Sequence, residues 1–481
     1  MSEPVRVRYA PSPTGLPHVG NIRTALFNWL FARHHGGRFI VRIEDTDVAR
    51  KVEGAAGAIL DSLRWLGLDW DEGPEVGGDY GPYFQSQRLE RYRAVAQRLL
   101  DEGHAYLCYC SPERLEEMRA EQVRRKEPPG YDRRCRDLSP AEGIAGVVRF
   151  KTPQTGHTEF HDLIWGEVVF ENSTLDDFVL LKSDGYPTYH LANIVDDHLM
   201  DISHVLRAEE WLSSTPRHIL LYSAVGFEPP QFGHLPMILG DDRAKLSKRH
   251  GATAITEFRD GGYLPEALVN FLVLLGWSLD DKTEVLSSQE LVRHFSLERV
   301  SKTAAVFNRQ KLDWMNGLYL RNLQSPDLAG RAMPFLSSLF PPEAERPLDE
   351  GYVLQLTPLI QERARTLVEF AELAGFFFID ELVYDAGLLL GGGLSRETAA
   401  AALAAAREGL HALKAFDAAS LEAVLRPLAA ELGLKTGELF GLLRVAVTGR
   451  TAAPPLFQTM AVLGRDRCLG RIEAALERLG A

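Results

Sequence analysis

Along the first 105 residues, the spacing of hydrophobic positions alternates between that of a strand and that of a helix. Alternation at Val5, Val7 and Tyr9 predicts a strand, and the apolar spacing over residues 21–33 predicts the helix that follows it. The same patterns predict one more strand and then two more helices, over residues 38–43, 48–66 and 87–102. Strands that alternate with helices are typical of a doubly wound α/β domain, which binds its ligands at the carboxyl ends of the strands.

The pattern changes after residue 105. Short apolar runs predict five strands, the first two in a β-rich insert, over residues 146–150, 167–170, 178–182, 202–207 and 231–239. From residue 252 to about 325 the spacing indicates helices with short connections, and beyond 326 it is helical throughout. A glycine break at 391–393 precedes an alanine-rich helix at 399–406.

Length and composition indicate a soluble protein of several domains. The chain has 481 residues, of which 45% are hydrophobic and 25% are charged. A charged, strand-like start, the lack of a long apolar run and only four cysteines predict a cytoplasmic protein. The formal net charge of −13 argues only weakly against nucleic-acid binding, because phosphate contacts depend on local patches of charge.

Residues 10–21 link the first predicted strand to the first predicted helix. Such a loop aims backbone N–H groups and the positive end of the helix dipole at its ligand, which favours phosphate. Pro11, Pro13 and Pro17 stiffen the loop, and His18 adds a side-chain donor at the entrance of the helix. A lone histidine at this place is more often a cap or a surface residue, so the loop alone is weak evidence.

A second candidate stretch, residues 245–249, lies about half-way along the chain. It follows a turn at 240–242 and supplies Lys245, Lys248 and Arg249. These cations suit phosphate, although a basic cluster of this kind is usually a solvated turn.

Together and in this order, the two stretches resemble the HIGH and KMSKS signatures of class I aminoacyl-tRNA synthetases. Four segments narrow the resemblance to bacterial-type glutamyl-tRNA synthetases: 10–20 (APSPTGLPHVG), 42–47 (RIEDTD), 184–189 (DGYPTY) and 248–251 (KRHG). The first signature ends in Asn21 where the generic one has histidine, a position that varies within this family. The resemblance covers essentially the whole chain.

The resemblance implies a split Rossmann-like catalytic domain with an inserted α+β domain, followed by a helical stem and an all-α region. The implied domains are the catalytic domain at 1–105 and 190–251, the insert that contacts the tRNA acceptor end at 106–189, the stem-contact domain at 252–325, and the anticodon-binding domain at 326–481.

The implied reaction has two steps. The α-carboxylate of glutamate attacks the α-phosphate of ATP, and the terminal ribose hydroxyl of tRNA(Glu) then attacks the resulting adenylate. The family's catalytic groups correspond to His18, Lys245 and Lys248, and Mg²⁺ enters with the ATP. The family match assigns the ATP site to Pro17, His18, Gly20, Asn21, Glu209, Trp211, Leu246, Ser247 and Lys248.

The implied glutamate pocket combines cations with neutral partners. By family match it comprises Arg8, Ala10, Ser12, Glu44, Tyr189, Asn193 and Arg207. Arg8 and Arg207 are the candidates for the side-chain carboxylate, and Glu44 would hold the α-ammonium. Tyr189 and Asn193 lie four residues apart, on one face of a predicted helix. Glutamine would leave a buried arginine unpaired, so such a site needs no editing domain.

Three cysteines of the insert, Cys108, Cys110 and Cys135, are spaced as structural zinc ligands. The alternative is three reduced thiols without a metal. Some members of the family bind zinc here with a fourth ligand at the position of Asp137, where histidine is common, and Tyr131 is another oxygen donor.

The helical region implies contact with the anticodon of the tRNA. Arg363 corresponds to the family arginine that favours a small third anticodon base, and Arg444 matches the last helical subdomain. A surface salt bridge is the simpler interpretation of either arginine. The resemblance also implies a monomer without an obligate protein partner.

Four other functions compete with glutamate–tRNA ligation. A glutaminyl enzyme would carry β-barrels in its carboxyl-terminal half, and the short paralogue that glutamylates a modified tRNA base lacks the anticodon region. A small-molecule nucleotidyltransferase would leave the long helical region without a role. A non-catalytic tRNA-binding descendant would be expected to have lost His18 or Lys248.

Overall fold

The computed structural model describes residues 4–138, 146–251, 253–340 and 348–480. The chain divides into two compact units. The first comprises residues 1–258 and 268–309, and the second comprises 259–267 and 310–481.

Strands occur only in the first unit of the described chain. They are β1 (Arg6–Tyr9), β2 (Arg38–Val41), β3 (Ala105–Cys108), β4 (Val147–Phe150), β5 (His157–Asp162), β6 (Gly166–Glu171), β7 (Val179–Leu181), β8 (His204–Ala208), β9 (Gln231–Leu235), β10 (Ile238–Leu239) and β11 (Ala305–Val306).

Helices occur in both units. Those up to residue 322 are α1 (Val19–His34), α2 (Ala55–Trp65), α3 (Leu89–Asp101), α4 (Pro112–Arg124), α5 (Tyr189–Leu199), α6 (Thr215–Val225), α7 (Ile255–Asp260), α8 (Pro265–Leu274), α9 (Ser288–His294) and α10 (Arg309–Asn322). The later ones are α11 (Ser325–Leu339), α12 (Glu350–Gln361), α13 (Leu367–Ala374), α14 (Arg396–His411), α15 (Ala418–Glu431), α16 (Thr436–Thr448), α17 (Leu456–Leu463) and α18 (Arg465–Leu479).

The first unit is built on a six-stranded sheet with the order β2-β1-β8-β9-β5-β6. Its neighbours pair in parallel except for β5 and β6, which pair antiparallel. All four residues of β1 are buried, as expected of a parallel strand that is covered on both faces. The strand order changes direction between β1 and β8, and such a switch point opens a crevice at the carboxyl ends of the strands.

Two of the predicted elements are interrupted. The helix predicted at 48–66 is a short 3-10 turn, Val48–Arg50, followed by α2, and Gly54 separates them with a left-handed φ of 76°. The strand predicted at 231–239 is two strands, β9 and β10, on either side of Pro236, which has no N–H to donate to a ladder. β10 pairs with β11 and not with the main sheet.

The sheets cross the boundaries predicted for the insert at 106–189. β3, β4 and β7 form a small antiparallel sheet of their own. β5 and β6 belong to the main sheet instead, because β5 pairs in parallel with β9 at Asp162 and Phe232. The strand predicted at 178–182 is β7 of the small sheet and so lies within the insert predicted at 106–189.

The described residues of the second unit form helices and no strand, which confirms the all-α prediction for residues 326–481. The alanine-rich stretch lies in α14, where Ala399, Ala402 and Ala406 are buried in the core of the unit. Before it, Gly392 and Gly393 take left-handed φ angles of 73° and 83° and end a 3-10 segment, as the glycine break predicted. Among the described residues, no helix is both long and apolar enough to cross a membrane.

Candidate active site

The predicted nucleotide loop lies at the switch point of the main sheet. It leaves the carboxyl end of β1 and enters α1, whose N-cap residue is His18. The backbone N–H of Gly20 donates to Nδ1 of His18 over 3.1 Å, so the ring proton of the neutral imidazole resides on Nε2. Desolvation and then the nearby Lys245 charge lower the pKa of His18. His18 is therefore a neutral donor at a helix N-terminus, a position that favours binding of phosphate.

The first signature stretch is joined by backbone hydrogen bonds to the segment that follows the second one. Val19 donates from its N–H to the carbonyl of Thr253 over 2.9 Å, and Ile255 donates to the carbonyl of Pro17 over 3.0 Å. This short antiparallel contact fixes the chain just after the lysine loop against the start of α1. Two segments about 235 positions apart in sequence thereby lie side by side at the candidate site.

The lysine loop is a tight hairpin that follows β10. Leu246 donates from its N–H to the carbonyl of Ile238 over 3.0 Å, and Ser247 donates to Nδ1 of His250 over 3.0 Å. Lys248 begins the short 3-10 helix that closes the loop, and its side chain lies outside what the structure describes.

The Lys245 ammonium forms an ion pair with Glu210, a residue that the sequence did not predict for the site. Glu210 belongs to the short 3-10 helix Glu209–Ser214 after β8, which also carries the predicted Glu209 and Trp211. The lysine loop and the segment after β8 therefore face each other across the crevice.

A buried charge network lies beneath the crevice. Asp197 accepts two hydrogen bonds from Arg8, at 3.1 and 3.3 Å, and one from Arg42 at 2.7 Å. Arg42 also donates to Glu44 over 3.3 Å. Burial raises the pKa of Glu44 against the opposing effect of the Arg42 charge. For Asp197, burial favours a higher pKa, but Arg8 and Arg42 outweigh it and hold the pKa below the ordinary value.

Two further carboxylate–arginine contacts complete the network. Arg88 donates to Asp196 over 2.6 Å, and Arg42 lies 3.8 Å from the same carboxylate. The described network thus contains three arginines and three carboxylates, whose formal charges cancel: Arg8, Arg42, Arg88, Glu44, Asp196 and Asp197.

Tyr189 and Asn193 lie on α5 as predicted, with Asp197 one turn further along the same face. In the orientation that satisfies both of its amide atoms, Asn193 donates to Asp197 over 3.1 Å and accepts from Arg42 over 3.3 Å. Tyr189 packs against Trp211 with ring centroids 4.2 Å apart, and its hydroxyl accepts from Arg207 over 3.0 Å.

The other predicted residues lie on the same loops. Ala10 and Ser12 follow β1 directly, Pro17 is buried before the helix, and Asn21 lies in its first turn with its side chain exposed. Together with the residues above, the predicted ATP and glutamate residues lie at the carboxyl end of the main sheet, except those of the lysine loop, which follows β10.

The three cysteines of the insert form one cluster whose sulfur atoms lie within 4.8 Å of one another. Cys110 and Cys135 are 3.6 Å apart at sulfur, close to the separation of about 3.8 Å between two thiolates on a tetrahedral zinc ion. The Tyr131 hydroxyl lies 3.3 Å from the sulfur of Cys108. Asp137 is exposed and is not part of the cluster. The donor set fits a zinc ion held by three sulfurs and one oxygen.

The two arginines predicted to contact tRNA lie in the second unit. Arg363 is exposed in the turn between α12 and α13, and Arg444 is half-buried in α16.

Comparison with known proteins agrees with this arrangement. Residues 4–314 match the family model described as "tRNA synthetases class I (E and Q), catalytic domain", and residues 327–476 match the "Anticodon binding domain". A protein of Dehalococcoides mccartyi named glutamate–tRNA ligase is 62% identical over 479 residues, covering 100% of this chain and 98% of the relative. One of Moorella thermoacetica with the same name is 51% identical, covering 98% of each.

Solved structures show the same likeness. The crystal structure of a glutamate tRNA ligase from Elizabethkingia meningosepticum, in complex with its amino acid, superposes with a TM-score of 0.89 at 36% identity, covering 99% of each chain. These findings confirm the resemblance and the fold class predicted from the motifs. The chain therefore belongs to the class I tRNA synthetases of the E and Q group, and within that family to the glutamate–tRNA ligases.

Proposed function

We infer that the chain is a glutamate–tRNA ligase, which activates L-glutamate with ATP and transfers it to the 3′ end of tRNA(Glu). The observation that carries this inference is the backbone contact between residues 17–19 and 253–255, which fixes the first signature loop against the segment that follows the lysine loop, next to the buried arginine–carboxylate network. A cytoplasmic location is consistent with this function.

The ATP site comprises the loop after β1, the start of α1 and the lysine loop. Nε2 of His18 donates to the phosphate oxygens, and Lys245 and Lys248 follow the charge that moves onto pyrophosphate. No enzymic general base is needed, because a carboxylate is already a nucleophile at neutral pH; positioning and charge stabilisation accelerate the step. Mg²⁺ held by the ATP would help to neutralise the phosphate charge.

The remaining residues predicted for the ATP site would contact the adenine and the ribose. Trp211 offers an aromatic face next to Tyr189, and the backbone of the lysine loop offers hydrogen bonds. The residues proposed for these contacts are Pro17, Gly20, Asn21, Glu209, Trp211, Leu246 and Ser247.

Glutamate binds between β1, β2, α5 and β8. Glu44 accepts the α-ammonium, with Asn193 supporting it through Asp197 and Arg42. Arg8 and Arg207 supply the positive charge for the side-chain carboxylate, and the remaining proposed contacts are Ala10, Ser12 and Tyr189. In a glutaminyl enzyme the guanidinium of Arg207 would have no substrate carboxylate to pair with.

The second unit would bind the anticodon, with Arg363 and Arg444 among its contacts. A structural zinc ion would be held by Cys108, Cys110 and Cys135 with an oxygen ligand from Tyr131 in preference to Asp137, and it would order the insert without entering the chemistry. Protein partners are not required.

ATP–pyrophosphate exchange tests the function, measured with glutamate and with glutamine, each with and without tRNA(Glu). Exchange that needs glutamate together with tRNA is expected. Exchange with glutamine would mean that the pocket is misassigned. A failure of exchange under every condition would favour a small-molecule nucleotidyltransferase or a non-catalytic tRNA-binding protein.

A further inference from the structure

Arg207 is a buried arginine whose contacts are all neutral groups. Its side chain, in β8, makes four hydrogen bonds: to Nε2 of His234 at 3.1 Å, the Thr215 hydroxyl at 2.8 Å, the Tyr189 hydroxyl at 3.0 Å and Nδ1 of His218 at 3.2 Å. The residue is 4% exposed. In the described part of the chain it forms no direct ion pair with a carboxylate, which is unusual because a buried cation ordinarily requires one.

Arg8, the other arginine proposed for the glutamate side chain, differs in this respect. Asp197 already accepts two hydrogen bonds from it. Arg8 therefore belongs to the charge-balanced network, whereas Arg207 keeps a guanidinium that no described carboxylate contacts directly.

The imidazole of His234 nevertheless links Arg207 to a carboxylate, that of Asp162. His234 accepts from Arg207 at Nε2, so its proton resides on Nδ1, which donates to Asp162 over 2.6 Å. Arg207 and His234 are register partners in the neighbouring parallel strands β8 and β9, and Asp162 ends β5 on the other side of β9. Burial lowers the pKa of His234 to about 4, so the ring between the two charges is neutral at pH 7.

A second imidazole is held in the same way. His218 accepts from Arg207 at Nδ1, and its Nε2 donates to Nδ1 of His190 over 3.1 Å. Burial lowers the pKa of His190 to about 4 and that of His218 well below its ordinary value. Both rings therefore present an acceptor nitrogen to the guanidinium and add no charge of their own.

We propose that Asp162 and His234 are positioning residues that set the preference for glutamate over glutamine, an inference that rests on the proposed ligase function. Asp162 supplies the negative charge that makes the burial of Arg207 tolerable. The His234 ring separates the two charges and leaves the guanidinium without a carboxylate in contact. The side-chain carboxylate of glutamate then becomes its direct ion-pair partner, a role that the neutral amide of glutamine cannot fill.

Donors remain for that carboxylate. A guanidinium has five N–H groups, and the described contacts of Arg207 occupy four of them. The Tyr189 hydroxyl accepts from Arg207 and retains its own proton, because burial raises the pKa of Tyr189. One N–H and one O–H are therefore open to the two oxygens of a carboxylate.

The test places a carboxylate directly on Arg207. In tRNA(Glu) charging by the full chain, His234→Glu is expected to raise the KM for glutamate about tenfold to hundredfold, the range for losing charge-assisted hydrogen bonds, with little change in kcat. The ratio of kcat/KM for glutamate to that for glutamine should fall by a similar factor. His234→Gln keeps a neutral acceptor, so its KM for glutamate and its ratio of kcat/KM values should both stay within about threefold of wild type.

A second variant guards against failure to fold. Thr215→Asp also puts a carboxylate beside Arg207, and it does so at the first residue of α6, where the helix dipole favours negative charge. It should raise the KM for glutamate as His234→Glu does. Thr158→Val is the matched control: Thr158 is buried in β5 and bonds to Asn172 over 2.6 Å, so its loss perturbs the same sheet without touching Arg207.

The outcomes separate this inference from the proposed function. If His234→Glu or Thr215→Asp folds and its preference for glutamate over glutamine is unchanged, the role of Asp162 and His234 is overturned. The same KM shift in Thr158→Val would also overturn it, because the effect would then be general to the sheet. Wild-type protein that does not charge tRNA(Glu) with glutamate would instead refute the ligase function itself.

Discussion

Asp197 is the carboxylate on which the buried network depends most directly. Replacing it with asparagine removes one of three negative charges from a network whose formal charges otherwise cancel. Arg42 would keep Glu44 and Asp196 as partners, but Arg8 has no other carboxylate among its described contacts. The variant therefore leaves Arg8 as an unpaired buried cation.

The expected cost follows from the burial of the pair. The Arg8 side chain is 4% exposed and that of Asp197 is 1% exposed, so water cannot replace the lost partner. Breaking a buried pair by removing one member typically costs about 3–5 kcal/mol, a large share of the roughly 5–15 kcal/mol by which a domain is stable. The double variant Arg8→Met, Asp197→Asn should lose less than the sum of the two single variants, because it leaves neither charge behind.

Urea unfolding followed by tryptophan fluorescence measures this cost. Six of the seven tryptophans lie in the first unit and only Trp314 lies in the second, so the signal reports mainly on the unit that holds the network. Asp197→Asn should lower the transition midpoint without changing the slope of free energy against urea. A loss below about 1 kcal/mol, or strict additivity in the double variant, would refute the account of the network.

Three further predictions concern the loops and the cysteine cluster. Removing the phosphate donor by His18→Ala should lower the rate of ATP–pyrophosphate exchange about 100-fold or more. Because the pKa of His18 is lowered, the exchange rate of the wild-type protein should stay constant as the pH falls to 6.5, the ordinary pKa of histidine, and a fall in rate centred above that pH would contradict this. A methyl group on Gly240 would meet the His250 ring at 2.6 Å, so Gly240→Ala should displace the lysine loop and slow exchange, whereas Gly57→Ala, in open space, should not. Cys135→Ser should lower the zinc content measured by atomic emission from one ion per chain towards zero, and equal content in both proteins would exclude the cluster as its site.

Local patterns in the sequence predicted the parts of the site that depend on neighbouring residues. The strand, proline-rich loop and helix around His18 follow directly from periodicity and turn residues. Tyr189 and Asn193 were predicted on one helical face, and the same spacing extended by four residues would have reached Asp197.

Contacts that depend on strand register left no local signal. Arg207, His234 and Asp162 come from three strands, and they meet because β5, β9 and β8 lie side by side in that order. The ion pair of Lys245 with Glu210 likewise depends on how two loops face each other. The membership of β5 and β6 in the main sheet also escaped prediction, since spacing cannot show which sheet a strand joins.

The position of β1 between β2 and β8 has a consequence for how the chain is made. β2 follows β1 within about 30 residues, but β8 begins at His204, about 195 residues after β1 ends. At about 5–20 residues per second, a ribosome needs about 10–40 seconds to supply it. During that time one edge of β1 is open to wrong pairing, so the nascent chain should be most prone to aggregation, and most sensitive to added protease, before residue 208 emerges.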